Sequence, residues 1–274
     1  MRHLALVTSG RQDWGILRST AARLRARSDF EVSVLAGGMH LHPRFGLTID
    51  LVRGDGFSDA LTLDWLGEDE LPSAAEQSAR ALAMVFRALE RIRPEAVLLV
   101  GDRFETLAAG LAAVLARVPI VHLHGGEESE GALDNSFRHA LSKLSHLHLV
   151  SHSSYGDRLM KMGEAGTSIH VVGAPGLDNL HRADLLGRAD LETLLGGRLS
   201  PPVVCVTYHP ATLANDTLAE ARALVEAMDM VPATYVVSSP NSDPGAEEIV
   251  KRGGARTEPP DGGSTVIGSA AHQI

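Results

Sequence analysis

Short apolar runs closed by glycine or polar turn residues recur through the first part of the chain. Leu4–Thr8 ends at Ser9-Gly10, Phe30–Ala36 at Gly37-Gly38, Val97–Val100 at Gly101, and Ile120–Leu123 at His124-Gly125; His146–Ser151 and His170–Val172 follow. Runs without polar alternation mark parallel strands buried on both faces. Between them the apolar spacing changes to that of helices. Leu17, Ala21 and Leu24 follow the first strand, and Ala81, Met84, Val85, Ala88, Leu89 and Ile92 form one face of a helix. Ser73 with Glu76 three residues on is a capping box for that helix, and Pro94 ends it. Further helices are expected after Arg103, over Asn135–Leu144, and over Tyr155–Met162. Residues 44–72 lack periodicity, and Arg53-Gly54-Asp55-Gly56 reads as a turn. The order predicts an α/β fold with a doubly wound parallel sheet over residues 1–176.

Beyond that point the pattern restarts and then fades. Residues 177–200 are expected to form a helical connection, and Pro201-Pro202 marks a boundary. Val203–Thr207 and Thr234–Ser238 read as strands of a second βα series, so 201–250 is expected to begin a second Rossmann-like domain. Residues 251–274 hold Gly, Pro, Ser and charge around a brief apolar pair, Val266-Ile267, and read as an atypical tail. Roughly 70 residues are few for a second core of the same kind, so the second domain is expected to be incomplete, the chain being shortened or out of frame there.

Composition narrows the class. With 44% hydrophobic and 22% charged residues the chain is globular. Its formal charge of -9 gives no general attraction to nucleic acid or anionic membrane. One cysteine, Cys205, precludes an internal disulfide and is expected as a small core residue. No secretory signal or bilayer-length apolar run is visible, so a soluble cytoplasmic protein is expected.

The chemistry gathers at predicted strand ends, where open parallel sheets bind ligands. Arg11 and Asp13 follow the first strand, Asp102 and Arg103 another, and His124 and Glu127 the next, with Asp134 and Arg138 shortly after. Ser9-Gly10 before a helix offers a phosphate seat, although the spacing is not GxGxxG. Asp102 reads equally as a helix cap or a site carboxylate. Asp134 and Arg138, four apart, are expected to pair on one helix face. His122 and His124 alternate along a strand and would share a face, as would His146 and His148. They lack a third ligand at convincing spacing, so hydrogen-bonding roles rather than metal are expected. Neither GxSxG nor a P-loop motif occurs.

Taken together, TSGRQDWG, GGMHL with FG and T beyond it, GDRFET, VPIVHLHGGEESEGALDNSFRHALSKLSHLHLVS and TYHPAT resemble the hydrolysing UDP-N-acetylglucosamine 2-epimerases, particularly the branch serving sialic-acid-type sugars. The resemblance covers about residues 4–250. It implies a GT-B architecture of two Rossmann-like domains, a UDP-sugar substrate, no metal or other cofactor, and a homodimer or homotetramer. It implies elimination of UDP to a 2-acetamidoglucal, then water addition to an N-acetylmannosamine-type sugar. Asp102 and Asp134 would be acid/base carboxylates, with Glu127 a stand-in where His124 replaces a glutamate of some relatives. Arg11, Arg103 and His209 would meet the diphosphate, and His209, if protonated, would aid departure. Asp13, His124, Arg138 and Asn241 would contact substrate or nucleotide. Asn135 stands where the family usually has a second aspartate, and nothing after Lys251 matches a family motif. The competing expectation is a non-catalytic nucleotide-sugar-binding remnant lacking the UDP half-site. A glycosyltransferase of the same architecture would not need the HLHGGEESEGALDN block.

Overall fold

The computed structural model describes residues 1–67, 71–181, 185–208, 217–237 and 265–267. Two compact units are present: Met1–Ser129 with Asp134–Arg182, and Glu130–Leu133 with Ala183–Ile274.

The first unit contains a seven-stranded, wholly parallel sheet in the order β3-β2-β1-β4-β5-β6-β7. The strands are β1 Arg2–Thr8, β2 Phe30–Gly37, β3 Leu61–Leu63, β4 Ala96–Val100, β5 Ile120–Leu123, β6 Leu147–Val150 and β7 Ile169–Val171. Side chains alternate across the sheet, so each central strand supplies two cores. Ala5, Val7, Val97, Leu99 and Ile120 pack with Val85, Leu89, Ala109, Ala112 and Leu141 on one face. Leu6, Leu98, Val100 and Leu123 pack with Trp14, Leu17, Val52 and Phe57 on the other. That double burial is why the strands read as unbroken apolar runs. The connecting helices are α1 Arg11–Arg25, α2 Ile49–Gly54, α3 Ala74–Ile92, α4 Phe104–Leu115, α5 Asp134–Leu144 and α6 Ser153–Lys161. The capping box forms as expected: Ser73 Oγ accepts from Glu76 N–H at 3.3 Å and Glu76 Oε2 accepts from Ser73 N–H at 3.0 Å. A Cβ on Gly110 of α4 would lie 2.4 Å from Leu141 of α5, so glycine permits these helices to approach closely.

Residues 44–72 hold more order than their pattern announces. The Arg53–Gly56 turn closes the short helix α2, and Asp55 accepts a 2.7 Å bond from Trp14 Nε1–H and pairs with Arg18. Strand β3 adds to β2 at the sheet edge. Three residues are too few to establish a period.

His40 lies in the turn after β2, fully buried between Thr8 Oγ1 and Thr48 Oγ1, each at 2.8 Å. Burial pulls its pKa down to about 4, so the ring is neutral near pH 7. It ties the turn to the end of β1. Thr48→Val keeps the side-chain shape but leaves a ring nitrogen without its partner. We expect a loss of about 1–2 kcal/mol in urea unfolding; an unchanged midpoint would show that the bond contributes no stability.

The second unit contains β8 Val203–Val206, α8 Thr217–Met230, β9 Thr234–Val237 and β10 Thr265–Ile267, with a parallel sheet ordered β10-β9-β8. Strand β10 contains the apolar pair Val266-Ile267, so the stretch expected as a tail includes a strand that pairs with β9. Its pairing is tertiary and three residues carry no periodic signal. Residues 177–200 are not continuously helical: a 3₁₀ turn, Pro175–His181, precedes α7, Arg188–Leu195. Cys205 is exposed rather than buried, on β8, which among the described residues stands at the end of its sheet. No helix among the described residues is long and apolar enough to cross a membrane.

Candidate functional site

The described site candidates belong to the first unit and lie beyond the carboxyl ends of β1, β4 and β5 or at the start of α5. The order in which strands are added reverses between β1 and β4, the place where doubly wound sheets open a crevice.

At the end of β1, Arg11 opens α1 and Asp13 sits in its first turn. Asp13 is buried and accepts from Ser9 N–H at 2.7 Å and Ser9 Oγ–H at 2.6 Å. Burial pushes its pKa up to about 6, against the pull of the Ser9 bonds and Arg103; Glu105 adds to the rise. The Arg11 guanidinium is half-buried, and loss of water lowers its pKa.

At the end of β4, Arg103 immediately precedes α4 and reaches the buried Glu105 at 3.3 Å. Asp102 pairs with Arg138 of α5. The Arg138 guanidinium is 6% exposed and also approaches Asn135 Oδ1 and Ser129 Oγ, each at 3.4 Å. Helical spacing records neighbours on α5, whereas the β4–α4 turn is brought alongside by the sheet. Asp134 is the first residue of α5.

At the end of β5 the histidines part company. His122 is fully buried; its Nε2–H donates to Gly101 O at 2.9 Å and Nδ1 meets Ser142 Oγ at 3.2 Å. Burial lowers its pKa to about 4. It is a neutral peg between β4, β5 and α5. His124 lies beyond the strand in a left-handed conformation, φ 65°, so the expected common face is lost. His146 and His148 are likewise hydrogen-bonded, to Ile120 N–H at 3.3 Å and Glu164 Oε2 at 3.2 Å.

His124 Nδ1 lies 2.6 Å from Glu127 Oε1, which also accepts from Ser151 Oγ at 2.6 Å. Burial opposes ionisation of Glu127, but these bonds prevail and hold its carboxyl below the ordinary value. Nε2 of His124 is buried with no hydrogen-bond partner among the described residues. A non-glycine left-handed residue costs about 1–3 kcal/mol, and an unmet buried nitrogen a similar amount. Local packing holds the strain: His124 N–H donates to Leu149 O at 3.1 Å. Gly126, at φ 75°, lies where a Cβ would come within 2.4 Å of Tyr155 O. Ser151 was not among the sequence candidates; its position just beyond β6 was the available signal. His209 and Asn241 lie outside the described residues.

An ion pair, Asp102 with Arg138, and a histidine–carboxylate pair, His124 with Glu127, therefore lie beyond neighbouring strands. The second can move a proton on a bound ligand, and Arg11 and Arg103 add positive charge at the ends of β1 and β4.

The family model described as UDP-N-acetylglucosamine 2-epimerase matches residues 22–262. The match passes Lys251, beyond which no family motif was expected. A GDP/UDP-N,N′-diacetylbacillosamine 2-epimerase (hydrolyzing) of Campylobacter jejuni is 32% identical over 88% of this chain and 64% of its own length. A UDP-N,N′-diacetylbacillosamine 2-epimerase (hydrolyzing) of Legionella pneumophila is 34% identical over 91% of this chain and 66% of its own. The chain thus spans slightly less than two thirds of either relative. Among solved structures, UDP-GlcNAc 2-epimerase from Neisseria meningitidis bound to UDP-GlcNAc aligns with a TM-score of 0.72 at 16% identity, over 98% of this chain and 72% of that one. The fold is α/β and GT-B-like.

Proposed function

We propose that this chain, which belongs to the UDP-N-acetylglucosamine 2-epimerase family, is a hydrolysing 2-epimerase acting on a UDP-2-acetamido sugar. The observation that carries the reading is the pairing of Asp102 with Arg138 and of His124 with Glu127 beyond adjacent parallel strands. The names of the Campylobacter and Legionella relatives support UDP-N,N′-diacetylbacillosamine as substrate, with UDP-N-acetylglucosamine the alternative.

In the proposed reaction the C2–H bond breaks and its electron pair forms the C1–C2 double bond of the 2-acetamidoglucal. The C1–O bond breaks in the same step, and its pair leaves with UDP. Water oxygen then bonds to C1, and C2 receives a proton on the opposite face, inverting that carbon. Asp102 and Asp134 serve as acid/base carboxylates, while Arg11 and Arg103 meet the diphosphate as its charge develops. Arg138 holds Asp102 in place.

The test is incubation of the chain with each UDP-sugar. UDP and a free 2-epimeric sugar should form in equal amounts. Solvent deuterium should enter at C2, and ¹⁸O from water at C1 of the sugar but not in UDP. Folded protein that releases no UDP from either substrate, or that interconverts UDP-sugars without release, would overturn the reading.

A further inference from the structure

We infer that His124 and Glu127 form a proton-transfer dyad for the C2–H bond, with His124 Nε2 the accepting atom and Glu127 a positioning residue supported by Ser151. The inference rests on the proposed function and deepens it by assigning the base of the elimination step.

The tautomer follows from the hydrogen bonds. Ionised Glu127 can only accept, so the 2.6 Å contact requires Nδ1 to carry a proton. Neutral imidazole has one N–H, which leaves the lone pair on Nε2. That nitrogen is buried and has no partner among the described residues, whereas His122 Nε2 is bound to Gly101 O. The two rings differ accordingly: His122 is occupied on both sides and His124 on one. The Ser151 hydroxyl fixes Glu127 from just beyond β6, while the Gly126 backbone, where a Cβ would lie 2.4 Å from Tyr155 O, restricts the loop between His124 and Glu127. His124 is therefore aimed by elements on both sides of it.

Asp102 is placed differently, since its Oδ2 is taken up by Arg138. In the step assigned here Nε2 gains the C2 proton. The C2–H electron pair becomes the C1–C2 π bond, and the C1–O pair departs with UDP. The resulting imidazolium lies against the Glu127 carboxylate and returns its proton to solvent. Asp102 and Asp134 remain for activation of water and protonation of C2 from the other face. The charged and titratable groups around the ring and its loop are Glu127 on the same loop, His122 on β5, Arg138 from α5, and Arg158 from α6, which donates to Gly126 O at 2.5 Å; Ser151 stands just beyond β6.

The experiment compares the full chain with His124→Gly and Glu127→Gln, using the UDP-sugar that the wild-type protein turns over. Glycine relaxes the left-handed backbone and leaves room for free imidazole. His124→Gly should lower kcat by about 10²–10⁴-fold with KM nearly unchanged, and added imidazole should restore part of the rate. Glu127→Gln should move the acidic limb of kcat/KM to lower pH, because an uncharged partner stabilises the imidazolium less. Circular dichroism and UDP titration check that both variants fold and bind. If the wild-type chain is folded but inactive, the proposed function falls and the dyad falls with it. If wild-type is active and His124→Gly retains its rate, or folds and binds UDP but gains nothing from imidazole, the dyad alone is overturned.

Discussion

Asp102→Asn is expected, under the proposed reaction, to lower kcat for free-sugar formation by about 10²–10⁴-fold, the usual contribution of a positioned acid or base, with a smaller change in KM. Asparagine keeps the size and one acceptor of the side chain but cannot take or give a proton. The same change should reduce stability by about 2–3 kcal/mol, because the nearly buried Arg138 guanidinium loses its counter-charge. Asn135 and Ser129 retain their weaker contacts with it, so the fold should survive. Steady-state kinetics and urea unfolding on one preparation separate the two effects. Activity within tenfold of wild-type would remove Asp102 from the acid–base chemistry. Lost activity with unchanged stability would instead show that the ion pair contributes little to folding.

Acidification from pH 7 to 4.5 is expected to cost this protein on the order of 3 kcal/mol of folding stability from three buried groups. Burial lowers the pKa of His40 and His122 to about 4, below the ordinary 6.5. As pH falls from about 6.5 toward 4, the unfolded chain takes up two protons that the folded chain refuses, so stability falls. Asp13 acts in the opposite sense. Its pKa is raised to about 6 from 3.8, so the folded chain takes up its proton first and gains stability over pH 6 to 4. Two groups outweigh one. Asp13→Asn removes the opposing contribution and should steepen the acid loss to roughly 5 kcal/mol. Urea midpoints at pH 7 and 4.5 check both figures. A midpoint that does not move with pH in wild-type protein would mean that His40 and His122 are not held neutral by the fold.

The central sheet was legible because burial on both faces writes itself into the chain as unbroken apolar runs, as in Leu4–Thr8 and Val97–Val100. Short elements were not: Leu61–Leu63 and Thr265–Ile267 acquire their identity by pairing with β2 and β9. Helix starts with local chemistry, such as Ser73 with Glu76, were visible because both partners lie within one turn. Cys205 misled because a strand-like run suggests burial, and whether another element covers that strand is absent from local pattern.

For the site, the motifs pointed to candidate residues beyond β1, β4 and β5, while spacing alone did not show which distant groups meet. Asp134 and Arg138 suggested a helical ion pair, and His122 and His124 a common face. The fold joins Arg138 to Asp102 across 36 positions of sequence and Glu127 to Ser151 across 24, and turns His124 out of the strand at φ 65°.

By itself, then, the sequence determined the doubly wound parallel sheet, the family, and the residue types at the strand ends. Those follow from burial periodicity and ordered motifs, which are local properties of the chain. Only the tertiary structure decided which acid faces which base, which histidine is a structural peg and which keeps a nitrogen without a partner among the described residues. Hydrogen bonds require heavy atoms to meet within about 3 Å, and here sheet register and helix packing bring distant segments to that distance.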